Sequence, residues 1–540
     1  MKAMKTQFFS SIKKASREEK GEQSYLHASR ASDLQHSRDR FWYRILEIFP
    51  GFLSWGTLAL AIICSWLFPA PTAFFLLIFI LYWLFRVLYF FFHLLAGYRK
   101  TKTHEKINWL KKLECLDVRD YTLQVAHWRD LYHLIVIPTA EEPYEILKET
   151  IAALQQTDYP KDRMIVVLAI EQRVGETARR KAQALKQKFG NSFAHFLVTE
   201  HPKDLPGEIA GKGANETWGT KIAQKEIIDA QEIPHEYVIL TSLDADTVVL
   251  PGYLSCLTFH YVTTPNPTRN SYQPVPLFMN NIWNAPAISR LFAFSTTFWF
   301  IMNQQRPEKM STFASHSMSL RALVDVGYKQ VNFAVDDSRI FWQCFLHYNG
   351  DYGVQPLHYP VSMDANAAPT LLATVRNIYK QQRRWAYGVA DVSYFLFGFC
   401  KKSEIPLRKK LSLSFDRIEA YWSWAVASPI MFFLGWLPLV LGGEEFRQTV
   451  LSYNLPRYTS FMLTFTLLGL VCSAYLAILV LPQRPMAVGR WKFLWLVGQW
   501  FVLPVIMVFF ALPALDAQTR LLLGKYMGFW VTPKFRKNKK

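Results

Sequence analysis

The sequence predicts an α/β domain inserted between the hydrophobic spans of a multi-pass membrane protein. Three observations predict it. Hydrophobic residues make up 51% of the 540-residue chain and aromatic residues 16%. The apolar residues crowd near both ends with a mixed stretch between, as expected of spans flanking a globular unit. Within the mixed stretch, short apolar runs alternate with helical patterns, which argues for a parallel sheet covered by helices on both faces.

The formal net charge of +19 excludes little by itself. Nucleic acid draws on such charge, but a nucleic-acid binder has no use for long apolar runs, so no nucleic-acid partner is expected. Lys and Arg collect on the cytoplasmic side of membrane proteins and near anionic headgroups. An anionic substrate such as a nucleotide diphosphate uses some of the rest. The six cysteines are scattered, without CxxC spacing, which fits a reducing, cytosolic setting.

Taken in order, residues 1–45 read as a disordered cytoplasmic tail, with no signal peptide. Runs 52–68 and 73–95 are each close to the ~20 residues a membrane helix needs. Pro69-Ala-Pro-Thr72 separates them, making a hairpin over 50–98. Arg86, inside the second run, is expected to snorkel toward headgroups. The domain spans 115–400. Its strand candidates are 134–137, 164–170, 196–198 and 237–243, and its helices include 144–156 and 176–189. Stretches 287–302 and 386–399 are apolar and aromatic, suited to the headgroup plane or to packing as core helices. C-terminal spans are read at 420–441, 461–481 and 493–512, within 415–515. Three spans put the basic tail, 516–540, opposite the domain, whereas its charge puts it on the domain's side.

Ligands in such folds bind at the carboxyl ends of strands. Asp244-Ala-Asp246 follows an apolar strand, and residues two apart on an extended chain face the same way. Two carboxylates there suit a hard divalent cation, which takes one or two acids plus phosphate oxygens and waters. An acidic turn is the plainer reading. Gly211-Lys-Gly-Ala-Asn215 precedes a helix, an arrangement for anions, with Lys212 adding charge; a surface loop is the plainer reading. Asp336-Asp337 opens a helix, so that one acid caps it while the other faces a cleft as a general base. In Gln381-Gln-Arg-Arg-Trp385, a helix puts Gln381, Arg384 and Trp385 on one face. Arg384 suits a diphosphate and Trp385 the flat face of a sugar. A basic juxtamembrane helix explains the charge alone, since Arg376, Lys380 and Arg383 lie nearby.

The order of these signals resembles the family-2 glycosyltransferases of the cellulose, chitin and hyaluronan synthase type, over roughly residues 130–390 and the flanking spans. Ile137-Pro-Thr-Ala-Glu-Glu-Pro143 is similar to the family's opening strand-loop. Lys212-Gly-Ala-Asn215 resembles its Lys-x-x-Asn loop, and Asp244-Ala-Asp246 its DxD. Val335-Asp-Asp337 stands where the family has Thr-Glu-Asp, and Gln381 to Trp385 matches QxxRW. Glu171 stands where the family has Asp after the second strand, and Thr-Glu is replaced by Val335-Asp336. No cyclic-dinucleotide-binding domain is expected after the last spans.

The resemblance implies a GT-A (Rossmann-like) domain and inverting transfer. The donor it implies is a nucleotide-sugar, a UDP-sugar in kind, and the acceptor a growing polysaccharide. Asp337 becomes the catalytic base. Asp244 and Asp246 hold Mg²⁺ or Mn²⁺. Thr139, Glu141, Glu171, Lys212, Asp244, Gln381, Arg384 and Trp385 meet the substrates. The protein is expected in a bilayer, a bacterial plasma membrane, with the catalytic domain cytosolic. Single-sugar transfer to a lipid-linked acceptor, and a non-catalytic scaffold carrying an inert transferase-like domain, are the alternatives.

Overall fold

The strand candidates become β1 (Tyr132–Pro138), β2 (Met164–Glu171), β3 (His195–His201) and β4 (Val238–Ser242). In the computed structural model, which describes residues 24–481 and 503–536 with a few isolated positions between, β2 and β4 are buried along their whole length. Their unbroken Val/Ile/Leu runs follow from having both faces covered. Leu134, Val136, Ile165 and Val167 point into one core. Their alternates Ile135, Ile137, Val166 and Leu168 point into the other, under the Tyr144–Gln155, Glu176–Phe189 and Tyr253–Thr263 helices.

Four further strands complete the sheet: β5 (Val248–Val249), β6 (Asn270–Leu277), β7 (Ser317–Ser319) and β8 (Gly353–Ser362). The order is β3-β2-β1-β4-β7-β6-β8-β5. β1, β2, β3 and β4 pair in parallel, as expected. The sheet as a whole is nevertheless mixed: β7 runs antiparallel to both β4 and β6, and β5 antiparallel to β8. Strands of two and three residues are too short to carry a period, which is why the parallel expectation missed them.

The Ser37–Leu67 and Pro69–Lys106 helices, 31 and 38 residues long, have the length and apolarity to cross a membrane. The Leu407–Phe432 and Leu434–Leu441 helices, bent by 48°, make a third if taken as one span. The break in the hairpin is a single residue, Phe68. Pro69 opens the second helix, where its missing N–H leaves nothing unsatisfied.

Several expectations change. Residues 1–23 of the expected tail lie outside the described residues. Beyond them the chain is ordered: Tyr25 and Leu26 are buried, and the Leu26 carbonyl accepts from Tyr394 Oη at 2.8 Å and Gln330 Nε2 at 3.3 Å. A few apolar anchors in a polar segment leave no periodic signal. Arg86 does not snorkel. Its guanidinium pairs with Glu419, donates to the Tyr82 hydroxyl at 2.7 Å and lies 4.9 Å from the Trp83 ring. Of the two readings of the apolar stretches at 287–302 and 386–399, the second holds: the Ala287–Asn303 and Ala390–Lys401 helices pack inside the protein. The first meets the long Pro69–Lys106 helix so closely that a Cβ at Gly97 would strike the Ile301 carbonyl. The second is buried nearly throughout, with Phe395 stacked on Trp342 at 4.4 Å. The last helix, Leu503–Leu522, contains Pro504 within its first turn, and the chain after it returns to the sheet. The span read at 493–512 lies partly outside the described residues.

Candidate functional site

β1, β2 and β4 end side by side; Glu171 is the last residue of β2, and Thr139 and Asp244 follow β1 and β4. The turn after β4 buries Asp246, 1% exposed. Its Oδ2 accepts from the Asp364 amide at 3.0 Å and from Lys534 Nζ at 2.5 Å. Its Oδ1 is buried without a hydrogen-bond partner among the described residues. Asn280 Nδ2 donates to the Asp246 carbonyl at 2.9 Å, which holds the turn.

The Lys212–Ala223 helix starts beside this turn. Lys212 Nζ donates to Asp244 Oδ1 at 2.6 Å and to Asp337 Oδ1 at 2.9 Å, so one ammonium joins both acid pairs. Burial pulls the Lys212 pKa down, but Asp244 and Asp337 raise it well above the usual lysine range. The glycines around it serve close packing. A Cβ on Gly213 would lie 2.9 Å from Asp336 Cβ, and one on Gly211 2.6 Å from Phe529.

Asp336 and Asp337 open the Asp336–His347 helix, yet neither side chain caps it. Both line the cavity, which corrects the expectation that one would serve as a cap. Lys329, 3% exposed, lies 3.5 Å from Asp337 Oδ1 and 3.6 Å from Asp336 Oδ2. His316 Nδ1 stands 3.7 Å from Asp337. Burial would raise the Asp337 carboxyl, but Lys212 and Lys329 hold it well below the usual range. Asp336 goes the other way, raised by burial and then by the charge of Asp337. Burial, then Lys329, drives His316 down to about 3, so its imidazole is neutral.

The Leu371–Ala386 helix presents Gln381, Arg384 and Trp385 to the same cavity. Gln381 Oε1 accepts from Asn366 Nδ2 at 2.9 Å. The Trp385 ring stacks on Phe292 at 5.7 Å and meets Phe313 edge-on at 5.5 Å. Arg383, one residue earlier, turns away to Asp516 at 2.9 Å.

Thr139, Glu171, Lys212, Asp244, Asp246, Asp337, Gln381, Arg384 and Trp385 thus share one cavity. Glu141 does not join them: it is exposed, and Glu142 lines the cavity instead. Glu142 accepts from Thr139 Oγ1 at 2.8 Å and from the Ala140 amide at 2.7 Å. Adjacent residues point to different sides, and only the turn after Pro138 decides which of the two acids faces in. Glu171, 5% exposed, is engaged by Arg173.

Sequence reasoning missed Lys329 and the C-terminal segment. Phe529, Val531, Thr532 and Lys534 line the cavity, Arg384 lies 4.7 Å over the Phe529 ring, and Arg536 pairs with Asp364 at 2.6 Å and with Glu149. The basic tail therefore lies on the same side as the cavity, as its charge and not the count of three spans implied, and it meets carboxylates there. The apolar run Phe529-Trp-Val531 just before the basic residues was the available signal.

The acids fit a hard divalent cation in chemistry: an orphaned buried carboxylate oxygen on Asp246 with Asp244 nearby. Among the described residues no group of three or more such ligands forms, so a cation here would complete its shell with oxygens of its ligand and water.

No protein-family model matches the chain, and no curated protein sequence matches it. Among solved structures, it is similar to the mannosyltransferase PcManGT from Pyrobaculum calidifontis, crystallised with GDP-Man and Mn²⁺. The identity is 12% and the TM-score 0.42, over 81% of this chain and 99% of that one. It is also similar to S. aureus TarS 1–349, with 13% identity and a TM-score of 0.25, over 64% of this chain and 91% of that one. Superpositions this loose say nothing of what the chain acts on.

Proposed function

We propose that this protein is an inverting glycosyltransferase of the membrane, moving a sugar from a nucleotide-sugar donor, a UDP-sugar in kind, onto a growing polysaccharide. The observation that carries the reading is the meeting of Asp244, Asp246 and Asp337 in one cavity with Lys212, Gln381, Arg384 and Trp385. Asp337 takes the proton of the acceptor hydroxyl as it attacks. Inversion follows the resemblance: the hydroxyl that Asp337 activates displaces the nucleotide diphosphate in one step. Lys212 and Arg384 place fixed positive charge where the diphosphate departs. Mg²⁺ or Mn²⁺, held by Asp244 and Asp246, would neutralise diphosphate charge. Thr139 and Glu171, at the ends of β1 and β2, meet the nucleotide. Trp385, in its aromatic shelf, offers the acceptor a flat apolar face. The two long apolar helices support a seat at a membrane face, and the basic tail on the cavity's side supports a cytosolic domain.

The test is incubation of the purified full chain with a panel of labelled nucleotide-sugars. Release of nucleotide diphosphate with a product that grows in length is expected. Stoichiometric addition of one sugar to lipid would replace the polysaccharide by a lipid acceptor. Absence of release with every donor would leave a scaffold and overturn the reading.

A further inference from the structure

Lys212 and Lys329 both approach Asp337, but they are held in different ways. Lys212 stands at the cavity wall, its side chain 11% exposed, and bridges Asp337 and Asp244. Lys329 lies beneath the wall, its side chain 2% exposed, and does not line the cavity. Its ammonium donates to Glu216 Oε2 and to Ser242 Oγ, each at 3.0 Å. Ser242 Oγ in turn donates to Glu216 Oε2 at 2.7 Å. Glu216 follows Lys212 by four residues, one turn along the same helix, so a single helix face carries the exposed cation and the anchor of the buried one. Ser242 ends β4, two residues before Asp244.

An anionic diphosphate entering the cavity competes for Lys212, the cation it can touch. Once Lys212 turns to it, Asp337 has one cation left. We propose that Lys329, clamped by Glu216 and Ser242, is a positioning residue that keeps Asp337 ionised and aimed at the acceptor after Lys212 has transferred its contacts to the donor. This rests on the glycosyltransferase reading. It adds a division of labour: Lys212 binds the donor, whereas Lys329 never leaves the base. A buried ion pair is a poor source of stability in itself, since well-packed apolar replacements of both partners are commonly neutral. Glu216–Lys329 is therefore better explained by what it holds in place than by the fold.

Steady-state transfer by the purified full chain tests this with Lys329→Met, Lys212→Met and the double variant Glu216→Leu/Lys329→Met. Both Lys329 variants are expected to lose kcat by about 10²-fold, in the range a misplaced general base costs, with donor KM and nucleotide diphosphate affinity within twofold of wild type. Lys212→Met should weaken donor binding as well. The double variant leaves no unpaired Glu216 behind, and Asp336, already raised by burial, can hold a proton, so it separates the role from folding even where Lys329→Met alone misfolds. Wild-type kcat in a folded double variant would overturn the inference alone, as would a loss confined to KM. A wild type without turnover on any donor would overturn the functional reading and this inference with it.

Discussion

The two acid pairs of the cavity are built alike in sequence and held differently in space. Asp244 and Asp246 sit in a turn, and their cations come from elements that reach in from outside: Lys212 from a helix start and Lys534 from the C-terminal segment, 2.6 and 2.5 Å away. Asp336 and Asp337 begin a helix, and their nearest permanent cation, Lys329, is locked underneath by Glu216 and Ser242. The first pair holds charges that a ligand can displace. The second holds one that it cannot. On the proposed function, the difference separates binding a leaving group, which needs partners that exchange, from aiming a base, which needs a partner that stays.

The sharpest way to break this comparison is at Asp337. Asp337→Asn is expected to lower kcat by roughly 10²- to 10⁴-fold, with nucleotide diphosphate binding by calorimetry unchanged; retained turnover would remove the base. Asp246→Asn comes next: cation-dependent nucleotide binding should disappear while cation-independent binding persists, and unchanged Mn²⁺ titrations would detach the first pair from any metal. Lys534→Met tests whether that pair's cation is displaceable. Mn²⁺ should bind roughly tenfold tighter, about 1.4 kcal/mol, because nothing then competes for Asp246; equal affinity would mean that Lys534 does not compete.

The smallest effect belongs to Asp336. Its folded-state pKa, raised from 3.8 to about 6, means that the folded protein keeps a proton the unfolded chain releases. The stability this adds is present below pH 3.8 and is lost as pH rises toward about 6. Asp337, lowered, contributes in the opposite direction: its share is present above its unfolded value and is lost as pH falls below it. Asp336→Asn should remove the fall in melting temperature between about pH 4 and 6; an identical profile in wild type and variant would place the buried proton elsewhere.

Much of this arrangement is legible in the residues. The apolar runs that become β1, β2, β3 and β4 are local and contiguous, as are the hairpin helices. The spacing of Gln381, Arg384 and Trp385 needs nothing but a helix to share a face. Glu141 and Glu142 show the limit: two adjacent acids are equivalent until a turn chooses one. Lys329 shows another, since a single lysine in a loop carries no pattern, and its role exists only because Glu216, Ser242 and Asp337 surround it from three other parts of the chain.

The sequence alone determined the central α/β order, the apolar hairpin and most of the residues facing the cavity, because periodicity and short motifs are properties of neighbours along the chain. Tertiary structure decided the reversal of β5 and β7, the burial of the helices at 287–303 and 390–401, the pairing of Arg86 with Glu419, and the seating of Lys534 on Asp246. Each depends on partners tens to hundreds of residues apart, and which distant groups meet is settled by packing, on which a local pattern is silent.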